Sequence, residues 1–468
     1  MERTPSGFKT SSAKNIANSK LRETFHSATR HALEQRLKSI HQVPEWEELR
    51  EKGHQIKKEV INQLDFYLEQ LESNILNNGG QVFWARDADE ASNYILKLCR
   101  RLNAKNVVKS KSMTTEEIKL ASKLEKQGVE PIETDLGEFI IQLANETPSH
   151  IIAPALHMTR QQIGALFNKT FNIPYTEIPE ELCAFARGKL RQKFLSTKLG
   201  ISGVNFAAAD TGTIVVVENE GNARMCTNLP KVHVAIMGLE KVIPRFEDLS
   251  IFLKLLSRSA TGQKQTSYVS MINGPRKEED LDGPEEFHLV ILDNGRTEIL
   301  SNPKLRESLF CIRCGACLNT CPVYQRVGGH SYGSTYSGPI GSVLTPLLQG
   351  LDTAKDLPYA SSLCGACSNI CPVKIDVHHQ LLWLREQVVK QHKSSWQERL
   401  AMHCYTSIMK DVRLYRLGSF FLRNLLKIFY KKGQHLNVPG WSKDRDFPPI
   451  AAKTFKELWK ETTQQKTT

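Results

Sequence analysis

A membrane-spanning segment is missing from this sequence: no run of about 18 apolar residues occurs anywhere in it. The first twenty residues, MERTPSGFKTSSAKNIANSK, lack the apolar core of a secretory signal. The expected location is therefore the cytoplasm. Also absent are the phosphate-cradling GxxxxGK[ST] loop, the dinucleotide fingerprint GxGxxG and the zinc-protease HExxH. Nucleotide-driven chemistry and zinc hydrolysis are left without support. Composition shows no extreme, with 40% hydrophobic and 24% charged residues, which excludes wholesale disorder and fibrous folds. A chain of 468 residues is expected to form two or three domains with room for a sizeable core.

Charge is unevenly spread. The formal net charge is +12, and residues 380–468 hold 17 Lys/Arg against 7 Asp/Glu, so most of the excess lies in the last fifth of the chain. Such a tail suits an anionic membrane surface, an acidic protein or nucleic acid.

Cysteine is what the chain has in quantity. Of its 11 cysteines, seven fall between positions 311 and 371. Short fixed spacing in a reducing compartment reads as metal binding rather than a disulfide framework. Cys99, Cys183, Cys226 and Cys404 are scattered and are expected to be buried, inert thiols.

The chain divides into four stretches. Residues 1–58 are polar and rich in helix formers, expected as surface helices. Residues 59–300 alternate helical segments with short β-branched runs: VFWA at 82–85, NVVKS at 106–110, HIIAPA at 150–155, TIVVVE at 213–218, VHVAIMG at 232–238 and HLVILD at 288–293. That alternation predicts an α/β domain with a largely parallel sheet. Asp293-Asn294-Gly295 predicts a closing hairpin. Residues 301–395 hold the cysteine motifs, the loop-like GGHSYGSTYSGPIG and a helix with Leu381, Leu384 and Val388 on one face. Residues 396–468 form a basic helical tail, in which the segment 412–432 aligns Leu414, Leu417, Phe421, Leu425 and Ile428 on one side and Arg413, Arg416, Arg423, Lys427 and Lys431 on another.

The first motif, Cys311-x2-Cys314-x2-Cys317-x3-Cys321-Pro322, is the bacterial ferredoxin run. Its first three thiolates wrap one cube, while the fourth is directed to a second. The other motif, Cys364-x2-Cys367-x3-Cys371-Pro372, repeats three-quarters of the pattern. Exchange of the last cysteines assigns Cys311, Cys314, Cys317 and Cys371 to cluster one, and Cys321, Cys364 and Cys367 to cluster two. The position of an eighth cysteine is Ser361. Cluster two is then a [3Fe–4S] cluster, a [4Fe–4S] cluster with an iron open to water, serine or a partner, or one completed by a distant thiolate such as Cys404. Structural zinc is the alternative, but it usually pairs two CxxC units across a gap.

The motifs CIRCGACLNTCPVY (311–324) and LCGACSNICPVKI (363–375) resemble the ferredoxin-like segment of the lactate utilization B family, the iron–sulfur subunits of bacterial L-lactate oxidation. KSKSMTTEEI (109–118), ETDLGEFIIQLANETPSHIIAPALH (133–157) and ADTGTIVVVENEGNARM (209–225) resemble that family's LUD domain. The likeness implies an α/β LUD domain, similar to the NagB/RpiA sugar-phosphate isomerase and CoA-transferase group, followed by an α-helical ferredoxin-like domain with two [4Fe–4S]-type clusters. It implies oxidation of L-lactate to pyruvate together with two other proteins, a cysteine-rich iron–sulfur subunit and a lone LUD-domain subunit. The ligand sets it implies match those derived from spacing.

In the α/β stretch, Asp210 and Thr211 precede a strand, and Glu218, Glu220, Asn222 and Arg224 follow it. Ends of strands are where open α/β sheets hold ligands, so these residues are candidate contacts for a hydroxy acid or a cofactor; equally, Asp210-Thr211-Gly212 reads as a turn and the glutamates as local caps. Lys109, Lys111 and Ser112 could cradle an anion. His150, His157 and His288 read as core or surface histidines rather than ligands. The 412–432 helix fits an anionic membrane beside a quinone-linked acceptor, a partner subunit, or packing on its own protein. Three functional readings follow. One is an electron-transfer subunit of a lactate-oxidising complex. Another is a self-sufficient enzyme whose open cluster iron is a Lewis acid. The third, a zinc-stabilised binding module, would use the tail on nucleic acid, which is not among the expected partners.

Overall fold

The computed structural model describes residues 5–429, 442, 446–447, 451 and 453–464. Two compact units form, Met1–Lys390 and Gln391–Thr468.

Four helices open the first unit: α1 (Phe8–Ala17), α2 (Ser19–Ile40), α3 (Trp46–Asn62) and α4 (Leu64–Asn77). Asn18 caps α2, its side chain accepting from Leu21 N at 3.0 Å. On α3, Trp46, Leu49, Ile56 and Val60 recur at helical spacing and are all buried. Each contributes about 1.5–3 kcal/mol of hydrophobic stabilisation. Within residues 1–58, α2 and α3 are not the surface helices expected from their polar composition: Phe25 of α2 packs edge-on to Tyr324 at 5.9 Å, and α3 joins the same core as Cys314 and Cys371.

Among the described residues ten strands follow: β1 (Gln81–Ala85), β2 (Asn106–Lys109), β3 (Glu130–Glu133), β4 (Leu199–Gly203), β5 (Phe206–Ala208), β6 (Thr213–Glu218), β7 (Val232–Gly238), β8 (Val242–Ile243), β9 (Tyr268–Ile272) and β10 (Glu286–Leu292). Six make a wholly parallel sheet in the order β1-β10-β7-β4-β2-β3. All seven residues of β7 are buried, as a strand covered on both faces requires. The expected runs at 82–85, 106–110, 232–238 and 288–293 lie in this sheet. TIVVVE instead forms β6 of a second sheet, β8-β5-β6-β9, pairing antiparallel with β5 and β9.

Two expectations fail locally. HIIAPA is a turn rather than a strand: Pro154 has no amide proton to give a ladder, Ser149 N bonds Pro154 O at 2.9 Å, and His150 Nδ1 accepts from Ile152 N at 3.0 Å. Asp293-Asn294-Gly295 closes no hairpin, since both neighbours of β10 are parallel. Asn294 (φ 47°) and Gly295 (φ 90°) turn the chain into the helix Arg296–Ser301, with Asp293 Oδ1 accepting from Thr297 N at 2.8 Å. The left-handed pair that suits a hairpin suits a helix entry equally well.

Within 328–341 the chain makes a 3-10 turn, Gly329–Tyr332, and then enters a helix at Gly338. Leu381, Leu384 and Val388 are buried together on the helix Val377–Lys390, as their spacing predicts.

The second unit contains the helices Trp396–Lys410, Val412–Phe429 and Phe455–Gln464. Leu414, Leu417, Phe421 and Leu425 are exposed on the middle one. Its expected extension over 430–432 lies outside the described residues.

Candidate iron–sulfur centre and a second polar cluster

Cys311, Cys314, Cys317 and Cys371 line one cavity, with Cys367 also on its wall and Ile312, Ile340, Val373 and Ile375 filling between them. Residues about 60 positions apart in sequence are thus brought to one place. Cys321 lies outside that wall; its thiol feels Cys364 as a neighbour, and Cys367 feels both.

The two motifs share a backbone device. Arg313 (φ 60°) and Gly315 (φ 73°) flank Cys314, and Leu363 (φ 55°) and Gly365 (φ 79°) flank Cys364, all in the left-handed region. Alternation of hand around a cysteine turns successive amides inward, a concavity that suits an anionic cluster. Arg313 N donates to Cys311 Sγ at 3.4 Å and Tyr324 N to Cys321 Sγ at 3.5 Å.

Burial pushes the Cys367 and Cys371 thiols up to about 11, and raises Cys314 and Cys317 well above the usual thiol range. Thiolates crowded in such a place are stable only when bound to cations. The donor set, an apolar-walled cavity with several sulfurs and inward amides, fits an iron–sulfur cluster. Cys364 is exposed, and hydrogen bonds from the Ala366 amide and the Ser362 side chain hold its thiol below the usual value. Ser361 Oγ accepts from Leu363 N at 3.1 Å, and its carbonyl accepts from Arg385 Nη2 at 2.7 Å. Of the scattered cysteines, Cys99 and Cys226 are buried and Cys183 half-buried, but Cys404 is exposed on an amphipathic helix, contrary to the expectation of burial.

Cations that sequence reading missed surround the cavity. Arg50 of α3 donates to Cys371 O from Nε at 3.0 Å and from Nη2 at 2.8 Å. Arg36 of α2 donates to Ile370 O at 3.2 Å. Lys57, two turns further along the same face of α3, bonds the carbonyls of Glu240 and Val242. The one available signal was a set of charged residues, Arg50 and Lys57, seven apart beside an apolar helical stripe.

A second polar cluster lies at the C-terminal edge of the parallel sheet, where α/β domains hold ligands. Lys109 at the end of β2 is fully buried, 3.0 Å from Glu133, 3.3 Å from Glu116 and 3.9 Å from Glu138. Burial lifts the Glu138 carboxyl to about 7 and Glu133 well above the usual range, Lys109 opposing both. Lys111 donates to Ile152 O at 2.6 Å, and Ser112 caps the helix Met113–Glu117.

The candidate contacts divide between the two ends of β6. Glu220 Oε2 accepts from Leu136 N at 3.0 Å and Asn222 Nδ2 donates to Thr134 Oγ1 at 3.2 Å, on the segment that follows β3. Arg224 is exposed on the same short helix, whose N-terminal amides Glu218 caps. At the other end, Asn74 and Asn78 bond the carbonyls of Asp210 and Thr211 at 3.1 and 3.0 Å, and Asp210 Oδ1 accepts from Phe246 N at 2.9 Å. The histidines are hydrogen-bonded side chains: His150 meets Asn319 at 3.2 Å, His157 meets Ser149 at 2.8 Å, and His288 meets Tyr94 at 2.9 Å.

Comparison with known families gives three matches in chain order: the LUD domain over residues 68–292, the 4Fe-4S dicluster domain over 307–375, and the C-terminal region of lactate utilisation protein B over 383–464. Fold and cysteine cage together define an iron–sulfur protein built on a LUD-type α/β domain. Lactate utilization protein B of Bacillus velezensis is 46% identical over 98% of both chains, and that of Bacillus subtilis 46% identical over 96% of this chain and 95% of its own. The chain belongs to the lactate utilization protein B family. A DUF162 family protein from Deinococcus radiodurans, of known crystal structure, aligns with 49% of this chain and 98% of its own at 14% identity and a TM-score of 0.26.

Proposed function

We propose that this chain is the iron–sulfur electron-transfer subunit of a complex that oxidises L-lactate to pyruvate. The supporting observation is the gathering of Cys371 with Cys311, Cys314 and Cys317 around one cavity. In this reading Cys311, Cys314, Cys317 and Cys371 hold a [4Fe–4S] cluster, and Cys321, Cys364 and Cys367 hold a second whose remaining iron site is open or missing. Bound clusters supply one-electron transfer. The chain's own residues exclude water with Ile312, Ile340 and Val373, aim amides at sulfur, and counter the cluster's negative charge with buried arginines.

Lactate oxidation releases two electrons and two protons. The polar cluster of Lys111, Glu220 and Asn222, together with the buried carboxylates Glu133 and Glu138, offers proton acceptors and hydrogen-bonding groups for a small hydroxy acid. Asp210 and Thr211, engaged at the far end of β6, have no part in it. Partners are a cysteine-rich iron–sulfur subunit and a lone LUD-domain subunit, as the family likeness suggests. Expected on anaerobic mixing with those two proteins is bleaching of this chain's visible absorption by L-lactate. Turnover by the isolated chain would instead favour a self-sufficient enzyme.

The second unit supports attachment at an anionic membrane face. Among the described residues no helix is long and apolar enough to cross a bilayer. The helix Val412–Phe429 does expose Leu417, Phe421 and Leu425 beside Arg413 and Arg416, the pattern of a helix lying in the interface. Co-sedimentation with phosphatidylglycerol vesicles, but not with phosphatidylcholine alone, is the expected result; binding to neither would assign that face to a protein partner.

A further inference from the structure

Between the first two cysteines of the leading motif, the sequence places an arginine where the second motif has Leu363. Arg313 is 8% exposed, and its left-handed backbone turns the side chain inward. Its Nη2 donates to Glu240 Oε1 at 3.0 Å. Glu240 Oε2 accepts from Arg296 Nε at 2.6 Å, and Arg296 in turn holds Glu117 with Nη1 and Nη2, both at 2.9 Å. Tyr336 OH donates to Glu117 Oε2 at 2.7 Å, and the Tyr336 ring lies under the Arg313 guanidinium with a centroid distance of 4.8 Å. The chain of contacts closes on itself: Arg313, Glu240, Arg296, Glu117, Tyr336 and back to Arg313.

The ring joins two domains. Glu240 lies two residues after β7, Arg296 follows β10 and Glu117 ends the helix after β2, so three members sit at the C-terminal edge of the parallel sheet. Arg313 and Tyr336 belong to the cysteine-bearing region. Gly238 at the end of β7 makes the closure sterically feasible, because a Cβ there would collide with Glu240 Oε2 and Arg296 Nε. Formal charges do not cancel next to the cavity. Arg296 and Glu117 neutralise one another, leaving Glu240 facing Arg313, Lys57 and Lys241, all buried. Among the described residues no oxygen or nitrogen acceptor meets Arg313 Nη1 in hydrogen-bond geometry, and the side chain lies against the Cys311 thiol. A buried donor without an acceptor beside a ligand sulfur is aimed where cluster sulfur would take it.

We propose that Arg313, held in place by Glu240, is the positioning residue that raises the reduction potential of the cluster in the Cys311–Cys371 cavity and ties that potential to the α/β domain. The inference rests on the cluster-one ligand set proposed above. One-electron reduction adds one negative charge to the cluster, and a buried cation in a low-dielectric surround favours the more negative state. Leu363 at the corresponding place in the second motif carries no charge, so cluster two lacks this contribution. Any ligand that loosens Glu240 or Arg296 at the sheet edge would alter the field at cluster one.

The test is a mediated potentiometric titration of the anaerobically purified full-length chain, followed by EPR. Arg313→Gln is expected to shift the cluster-one reduction equilibrium at least tenfold toward the oxidised form, about 59 mV per tenfold for one electron. Glu240→Gln is expected to shift it the opposite way, and Arg313→Lys to stay nearer the parent than Arg313→Gln. Cluster two keeps its midpoint in all three. A merely structural role would move R313Q and E240Q in the same direction or not at all, and that result overturns the proposal. Should R313Q lose its cluster, K241Q and E240Q supply the same pair of opposite signs. A parent protein with no cluster at Cys311 would instead sink the proposed function.

Discussion

Arg50 Nε and Nη2 both hydrogen-bond the carbonyl oxygen of Cys371, at 3.0 and 2.8 Å. An arginine from the third helix thereby fixes the peptide of the cysteine farthest in sequence from the three whose cavity it shares. Bonds from a charged donor to a buried carbonyl contribute about 1.5–3 kcal/mol. The N-terminal helices are consequently part of the wall around the cysteine cavity, and their polar composition reflects what they grip.

Cys371→Ser and Cys311→Ser are expected to damage the same cluster although they stand in different motifs. EPR of each reduced variant should show loss of one common signal, with the signal of the Cys321, Cys364 and Cys367 site retained. Loss of different signals would refute the exchange of final cysteines.

With Cys321, Cys364 and Cys367 as the proposed ligands of cluster two, Ser361→Cys is expected to supply its fourth thiolate. After brief exposure to oxidant, the variant should give a weaker three-iron EPR signal than the parent and keep more iron per chain. An unchanged signal would place the open iron elsewhere.

Stability should depend on pH through Glu138, which faces Lys109, Glu116, Lys111 and Asp135. Burial holds its carboxyl at about 7 against an ordinary 4.5. Between those values the unfolded chain has released a proton that the folded chain retains, so folding stability falls as pH rises through that window and levels off above it. The loss is on the order of 1–3 kcal/mol. Glu138→Gln should give a flatter profile between pH 5.5 and about 7.5 in anaerobic urea denaturation; a parallel profile would contradict the buried carboxyl.

Much of this architecture is written locally. The cysteine spacing, the buried run of β7 and the amphipathic helix Val412–Phe429 each depend on neighbours within a few residues, and a periodic reading finds them. β4 escaped because LGISG carries glycines where side chains would signal a strand; Gly200 is there since a Cβ would collide with the Cys226 carbonyl. Arg50, Lys57 and Glu240 were silent for a different reason. Their meaning lies in partners far away along the chain, as with Arg50 and Cys371, and no spacing rule carries such pairs. Asp293-Asn294-Gly295 misled because left-handed residues serve hairpins and helix entries alike.

The central claim, that this is a two-cluster electron-transfer protein, is tested most directly by quantifying iron, sulfide and zinc per chain after anaerobic purification, with EPR before and after dithionite. About seven to eight irons with matching sulfide and two reducible centres are expected. One or two zincs without sulfide, in a colourless protein, would contradict it.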